Sequence, residues 1–534
     1  MTSTIQTLVA LLAVIAAIGV LAARLTIPPA ILLVVAGIFL GALPGLPTVA
    51  LAPEFFLLFI LPPLIYDAAV AMSWREFRFN LRPITLLAVG CVLFTTVTVA
   101  AAAHLLLNLS WPVGFLLGAI VSPPDAVAPI SIGRRMQLPR RIMLVLEGEG
   151  LANDATALIL YRFAVAAISM GMFSTSRAVG TFAAIVAGEI LWGVGVGWLM
   201  LRLRHWVGEP RIEITLSIIT PFLAFWPPEQ LGGSGVLATV TAGLYISWNG
   251  LRLISAATRL QGVFFWDLIV YLIEGMVFLV TGLQARSLIA GIGDFAWSEL
   301  IVSALVVGVV VIVARFIWVF PATYLPRWLV PAIRRKDPSP PWQWPFILGF
   351  TGIRGVVSLA AALAIPLTTQ SDAPFPDRNL IIFLTFFVIV LTLIGQGLLL
   401  PAVMRGLGLV NAGRRERQAE RVEQLQAQRQ AIAAAIERLD QLGADQGLTK
   451  AVVAPLDARY REQLARASTR GEGDAHHRRL VEIGEETELS LIATERLTIN
   501  DLYRDGKLKD EGRRRIERAL DLREADIANR RAED

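Results

Sequence analysis

The 534-residue chain has little of three things: cysteine, histidine and, over three quarters of its length, charge. Its single cysteine, Cys91, excludes an internal disulfide framework and any multi-thiolate metal centre. Only four histidines are present, two of them adjacent at His476 and His477, which argues against a histidine metal site. No cofactor is called for. Residues 1–411 carry 42 Asp, Glu, Lys and Arg, about a tenth of their positions, where a soluble domain has roughly a quarter. Residues 412–534 carry 49 such residues, about two fifths. The net charge of +5 divides into +6 on the first part and −1 on the second. The basic residues of the first part lie between apolar runs, so the pI of about 9.6 is no sign of nucleic-acid binding. A mean hydropathy of +0.61 completes the pattern of a membrane protein, residues 1–411, with a soluble tail, residues 412–534.

A bilayer core of about 30 Å requires roughly 20 apolar residues per helix. Thirteen segments meet this, at about 3–23, 28–44, 50–71, 81–107, 111–133, 141–169, 177–203, 211–227, 234–250, 262–284, 297–324, 343–367 and 379–405. Lys and Arg in short loops concentrate on the cytoplasmic side. Alternate loops, such as that of Arg75, Arg78 and Arg82 and that of Arg134, Arg135, Arg140 and Arg141, hold 17 basic residues. The intervening loops hold three: Arg177, Arg286 and Arg378. This asymmetry predicts thirteen helices, an external N-terminus and a cytoplasmic tail. Residues 1–23 lack the basic n-region of a cleaved signal peptide, since no Lys or Arg precedes Arg24. In the tail, Val422, Leu425, Ile432, Ile436 and Leu439 recur at helical spacing, and a second helical pattern runs from about 480 to 528. Both read as a solvated helical appendage.

An ionisable group near the bilayer centre costs several kcal/mol, so it is a functional hypothesis by default. Asp125, Asp154, Glu274 and Arg354 each fall near the middle of their segments. Three acids and one base at one depth suit a cation site. Asp67 lies toward the inner end of its helix, and Arg162 and Arg315 lie off-centre, where snorkelling or a structural ion pair is the expectation. Pro123 and Pro124, just before Asp125, should break the fifth helix, because each deletes a backbone donor. Gly352 and Gly355 flank Arg354 and suggest a second break, with Arg354 neutralising a half-helix end or pairing with an acid. Segments five and twelve run in opposite directions, which points to an inverted-repeat transporter with two interrupted helices. In the sixth segment, Glu147 and Asp154 share one helix face, and Glu149 and Asn153 another. A carboxylate beside an amide oxygen is a hard ligand set suited to Na+ or Li+. A group that holds either a cation or a proton is the chemical minimum for exchange.

Three stretches, Ser122-Pro-Pro-Asp-Ala-Val-Ala, Gly148-Glu-Gly-Leu-Ala-Asn-Asp-Ala and Gly352-Ile-Arg-Gly-Val-Val-Ser-Leu, resemble the monovalent cation:proton antiporters of the sodium/proton exchanger (NhaP-like) branch. Leu61-Pro-Pro-Leu-Ile-Tyr-Asp67 resembles that family's third-helix signature, and Glu274 matches a glutamate preceding a similar run. The resemblance covers about residues 5–405. It implies an all-α homodimer of thirteen-helix protomers, in which a six-helix core slides against a dimerisation domain. It also implies that Asn153 and Asp154 form the ion-site pair, with Asp154 alternating between cation and proton. Asp125 would be the acid of the crossing helix and Arg354 the arginine of the opposing one. The ion-binding set is then Asp154, Asn153, Asp125 and Glu149, with Na+ at Asp154 and Asp125; Arg354, Glu274 and Asp67 compensate charge. An Asn-Asp pair resembles the branch that exchanges one cation for one proton. The family commonly has Pro where Ala126 stands and Ser where Gly150 stands, which bears on affinity and selectivity.

The sequence thus predicts a secondary antiporter of the cell membrane serving pH homeostasis, and no enzyme. It would export Na+, with Li+ or K+ as further candidate ions, against an entering proton. A K+/H+ antiporter is the rival within the class. A cation channel, or a transporter-shaped sensor signalling through the tail, is the rival outside it. A channel would need a continuous pore rather than paired broken helices.

Overall fold

The computed structural model describes residues 2–25, 27–43, 53–170, 175–291, 296–370, 372–445, 450–469, 475–505 and 507–533. Among these the regular secondary structure is all helical, with turns and loops between helices and one isolated bridge between Thr368 and Pro374. It forms two compact units, Met1–Arg414 and Arg415–Asp534.

Among the described residues of the first unit, eight helices are long and apolar enough to cross a membrane, and Pro29–Ala42 and Trp111–Val121 are shorter apolar helices. The thirteen segments expected from the sequence fall mainly on helix in their described residues, with interruptions inside the fifth and twelfth and non-helical ends such as 234–235 and 364–367; residues 44 and 50–52 lie outside the described residues. The eighth and ninth segments are separate helices, Pro210–Gln230 and Val236–Leu253. Apolarity all round a helix is what lipid on one side and protein on the other require. Helix Trp297–Leu329 buries Leu300, Ala304, Val307 and Val311 and exposes Val302, Val309 and Ile317. Burial alone does not hold helices together in lipid, so close backbone approach matters. A Cβ on Gly37 would lie 2.2 Å from the Leu279 carbonyl oxygen, and one on Gly282 would lie 2.2 Å from that of Val34. Two glycines therefore let Pro29–Ala42 press directly on Ala256–Leu283.

The sequence pattern did not reveal three π-helical turns, at Phe56–Ile60, Leu86–Cys91 and Leu391–Gln396. The first precedes Pro62 and Pro63, which cannot donate to the preceding turn. The Leu58 carbonyl takes Trp226 Nε1 instead, at 2.8 Å. Trp318 Nε1 serves the Leu86 carbonyl of the second turn in the same way, at 2.8 Å.

In the second unit, the pattern over about 480–528 is a hairpin of Ala475–Arg504 and Asp510–Glu533, with Ile492, Ile499, Leu520 and Ile527 buried between them. Arg496 bridges to Asp521 and Glu524, and Arg523 to Glu495. On helix Leu409–Asp445, Leu425, Ile432, Ile436 and Leu439 are covered to differing degrees, but Val422 is exposed and does not belong to that face.

Candidate functional site

Helix Trp111–Val121 stops at the two prolines, and helix Val127–Met136 begins after Asp125 and Ala126. The second interruption separates Gln343–Phe350 from Val356–Leu363. Non-helical backbone at membrane depth survives only where protein or a cavity satisfies it. Here the two breaks satisfy each other: the Asp125 N–H donates to the Ile353 carbonyl at 2.7 Å.

The end of a helix leaves carbonyls unpaired and carries partial negative charge. Arg354, only 1 % exposed, meets that end: its Nε donates to the Val121 carbonyl at 2.8 Å and its Nη2 to that of Ser122 at 3.3 Å. Nη1 donates to Gly352 of its own break. The Arg354 N–H is received by Thr392 Oγ1 at 2.9 Å. Of the two roles open in the sequence, Arg354 takes the half-helix end and no carboxylate.

On helix Arg140–Met170, the wholly buried Asn153 donates Nδ2 to the Pro124 carbonyl at 2.6 Å, which ties this helix to the first break. Its Oδ1 is buried without a protein partner. Asp125 accepts from the Val127 N–H at 2.9 Å through Oδ1, while Oδ2 is buried without a partner. Asp154, next to Asn153, lines a cavity of about 860 Å³ that Asp125, Asp67, Glu274 and Glu147 also line. Two orphaned acceptor oxygens beside an acid-lined cavity form a hard, oxygen-only donor set, the chemistry that alkali cations take. Among the described residues no group of three or more His, Cys, Asp or Glu could hold a metal ion. A Cβ on Gly355 would lie 2.1 Å from Asp125 Oδ2, so glycine is what lets that carboxylate lie against the second break.

Glu149 departs from the sequence expectation. Helical geometry turns it away from Asp154, and both its oxygens are held by Arg315, at 2.5 and 2.7 Å, with both side chains buried. Neither Glu149 nor Asn153 lines the cavity, but Asn153 keeps an unpartnered oxygen whereas both Glu149 oxygens are committed to Arg315, so the structure does not bring Glu149 to the other candidate ion-binding groups. Arg162 is likewise an ion-pair residue, with Glu229. Glu147 pairs with Arg134 at 3.1 Å on the rim of the cavity. Sequence reasoning missed Asp267, which lines the same cavity seven residues before Glu274. The signal was available: seven residues are two helical turns, one face of Ala256–Leu283.

The two departures from the family pattern fall on one contact. A Cβ on Gly150 would lie 2.6 Å from the Ala126 Cβ. Gly150→Ser is expected to lower stability by about 1–3 kcal/mol through overpacking, read as thermal unfolding in detergent. Adding Ala126→Gly should restore most of it. A double variant no better than the single one would show that this contact is not the cause.

The chain matches the family of transmembrane sodium/hydrogen exchangers over residues 9–406. It is 34% identical over 527 residues to an uncharacterised Na+/H+ exchanger of Mycobacterium tuberculosis, covering 97% of this chain and 95% of that protein. It is also 34% identical over 388 residues to a sodium, potassium, lithium and rubidium/H+ antiporter of Bacillus pumilus, covering 70% of this chain and 57% of that one. Its fold is similar to that of the sodium proton antiporter MjNhaP1 of Methanocaldococcus jannaschii, with a TM-score of 0.62 at 21% identity, over 77% of this chain and 99% of that one. With two crossed helix breaks, a family match over nearly all of the first unit and a relative similar from end to end, the chain belongs to the sodium/hydrogen exchanger family.

Proposed function

We propose that this protein exports Na+ from the cytoplasm in exchange for external H+, one for one. Membership of the family makes it a cation/proton antiporter, a secondary transporter and not an enzyme. The observation that carries the finer reading is the pair of buried, unpartnered oxygens, Asp125 Oδ2 and Asn153 Oδ1, next to Asp154. A bare cation replaces its hydration shell with such oxygens. A proton on the Asp154 carboxylate competes for the same place. Because its neighbour is a neutral amide, one carboxylate changes state per cycle, which supports electroneutral exchange. Arg354 offsets the negative helix end at the first break, the Glu149–Arg315 pair neutralises itself, and neither enters the cycle. Glu274, Asp67 and Asp267 line the approach with carboxyl groups. The arginine asymmetry of the loops supports a cell-membrane protein with its N-terminus outside and its tail inside, and the family resemblance supports a homodimer.

A second reading, exchange of K+ as well as Na+, is favoured by Gly150, which brings no hydroxyl to the neighbourhood of Asp154. The name of the Bacillus relative includes potassium and rubidium. Reconstitution into vesicles with an imposed ΔpH, testing Na+, Li+ and K+ in turn, separates the readings. Na+-driven proton flux without K+-driven flux supports the first, and comparable fluxes the second. Absence of any cation-coupled proton flux overturns both.

The competition itself is testable. Below the pKa of the site, raising the external proton concentration tenfold should raise the apparent Michaelis constant for external Na+ in reverse-mode uptake about tenfold, at constant maximal rate. Above that pKa the constant should level off, since the carboxylate is already free. A dependence approaching a hundredfold per pH unit would mean that two protons leave together, and the one-for-one reading would be wrong.

A further inference from the structure

On the arginine-rich side, and away from the ion cavity, three arginines from three helices converge on one carboxylate. Arg82 Nη2 reaches Asp337 Oδ2 at 2.5 Å, Arg141 Nη1 reaches Oδ1 at 2.8 Å, and Arg327 Nη2 reaches Oδ2 at 2.8 Å. Glu76, another acid of these loops, is bound by Arg140 at 2.5 Å. Three positive charges thus face one negative charge, a formal surplus of two. Burial alone would push the Asp337 carboxyl up, but hydrogen bonding and charge from Arg141, with Arg327 and Arg82, hold it below the usual range. It remains ionised and cannot carry the surplus further.

Arg327 is consumed by the protein: it is nearly buried, and it also donates to the Asp337 and Thr323 carbonyls. Arg82 and Arg141 differ. Their side chains are 28% and 26% exposed, although Arg141 also donates Nε to Asn80 Oδ1 at 3.2 Å, and with Arg327 they line a small cavity whose other walls are largely apolar, formed by Leu86, Leu87, Val145 and Trp344 among others. The depth of this cavity follows from exposed aromatic rings nearby in sequence: Trp328 beside Arg327, Trp342 five residues after Asp337, and Phe79, over which Arg141 stacks at 5.5 Å. Exposed Trp marks the level of lipid headgroups. A surplus of positive charge at headgroup level, over an apolar cleft between helices, matches an anionic lipid and not a soluble ligand.

We propose that this cleft binds an anionic phospholipid of the adjoining leaflet, its phosphate on Arg82 and Arg141 and its acyl chain along the apolar wall. The lipid would offset the surplus charge and tie together Leu81–Leu107, Arg140–Met170 and Trp297–Leu329, the second of which carries Asp154.

The test is native mass spectrometry of the full-length protein in detergent, titrated with phosphatidylglycerol or phosphatidylcholine. Phosphatidylglycerol is expected to bind at least tenfold more tightly, as about two basic residues near an anionic lipid would provide. Arg82→Gln should weaken it about fivefold, while Arg82→Lys, which keeps the charge, retains most of it. Inorganic phosphate at millimolar concentration should not displace the lipid. Equal binding of the two lipids by the wild type overturns the proposal. So does full displacement by phosphate, which would make this a free-anion site. Should Arg82→Gln fold poorly, the wild-type lipid comparison and Arg141→Gln decide the matter in the same way.

Discussion

Asp154→Asn is expected to abolish cation-coupled proton flux while leaving the protein inserted and folded. The substitution keeps side-chain volume and one hydrogen-bonding oxygen, and it removes the group that can be either charged or protonated. Asn153 Oδ1 and Asp125 Oδ2 would remain without partners, but the carboxyl group proposed to alternate between proton and cation would be gone. Flux in reconstituted vesicles, with thermal unfolding as the control for folding, gives the answer. Na+-dependent proton flux near the wild-type rate would remove Asp154 from the ion cycle. Exchange would then have to run through Asp125 or Glu274, the other mid-depth acids of the cavity.

Glu149→Ala is expected to cost about 3–5 kcal/mol of stability, because removing one partner of a buried pair leaves the other charge uncompensated. Arg315 is only 1 % exposed, and besides Glu149 its guanidinium donates to the Leu348 carbonyl. The expected readout is a large fall in Tm in detergent. Replacing both partners by apolar residues of similar volume, Glu149→Leu with Arg315→Met, should restore much of the loss, since the desolvation of two charges disappears together. Recovered stability with recovered flux would confirm that the pair is structural. Recovered stability without flux would return Glu149 to the ion cycle, where the sequence had placed it.

The apolar helices, the broken fifth helix and the positions of Asp125, Asp154, Glu274 and Arg354 along the chain's apolar segments were all legible in the sequence. The reason is that each is a local property. Hydropathy over 20 residues, a Pro-Pro pair and a position along a helix are written in contiguous residues, and lipid enforces them more strictly than water does. Which partner each charge meets is not local. Glu149 and Arg315 are 166 positions apart, and Arg354 and Val121 are 233 apart. The helical period correctly placed Glu149 and Asn153 on a face apart from Asp154, but it could not say that an arginine of a distant helix waits there. Nor could it say that Arg354 ends on carbonyls instead of a carboxylate, or that Asn153 holds the first break by its amide and leaves its oxygen free. The sequence alone determined a helical membrane antiporter with acids in the middle of its apolar segments. Only the tertiary structure decided which acids face the cavity, because burying a charge in lipid requires a partner, and partners are chosen by packing between helices far apart in the chain.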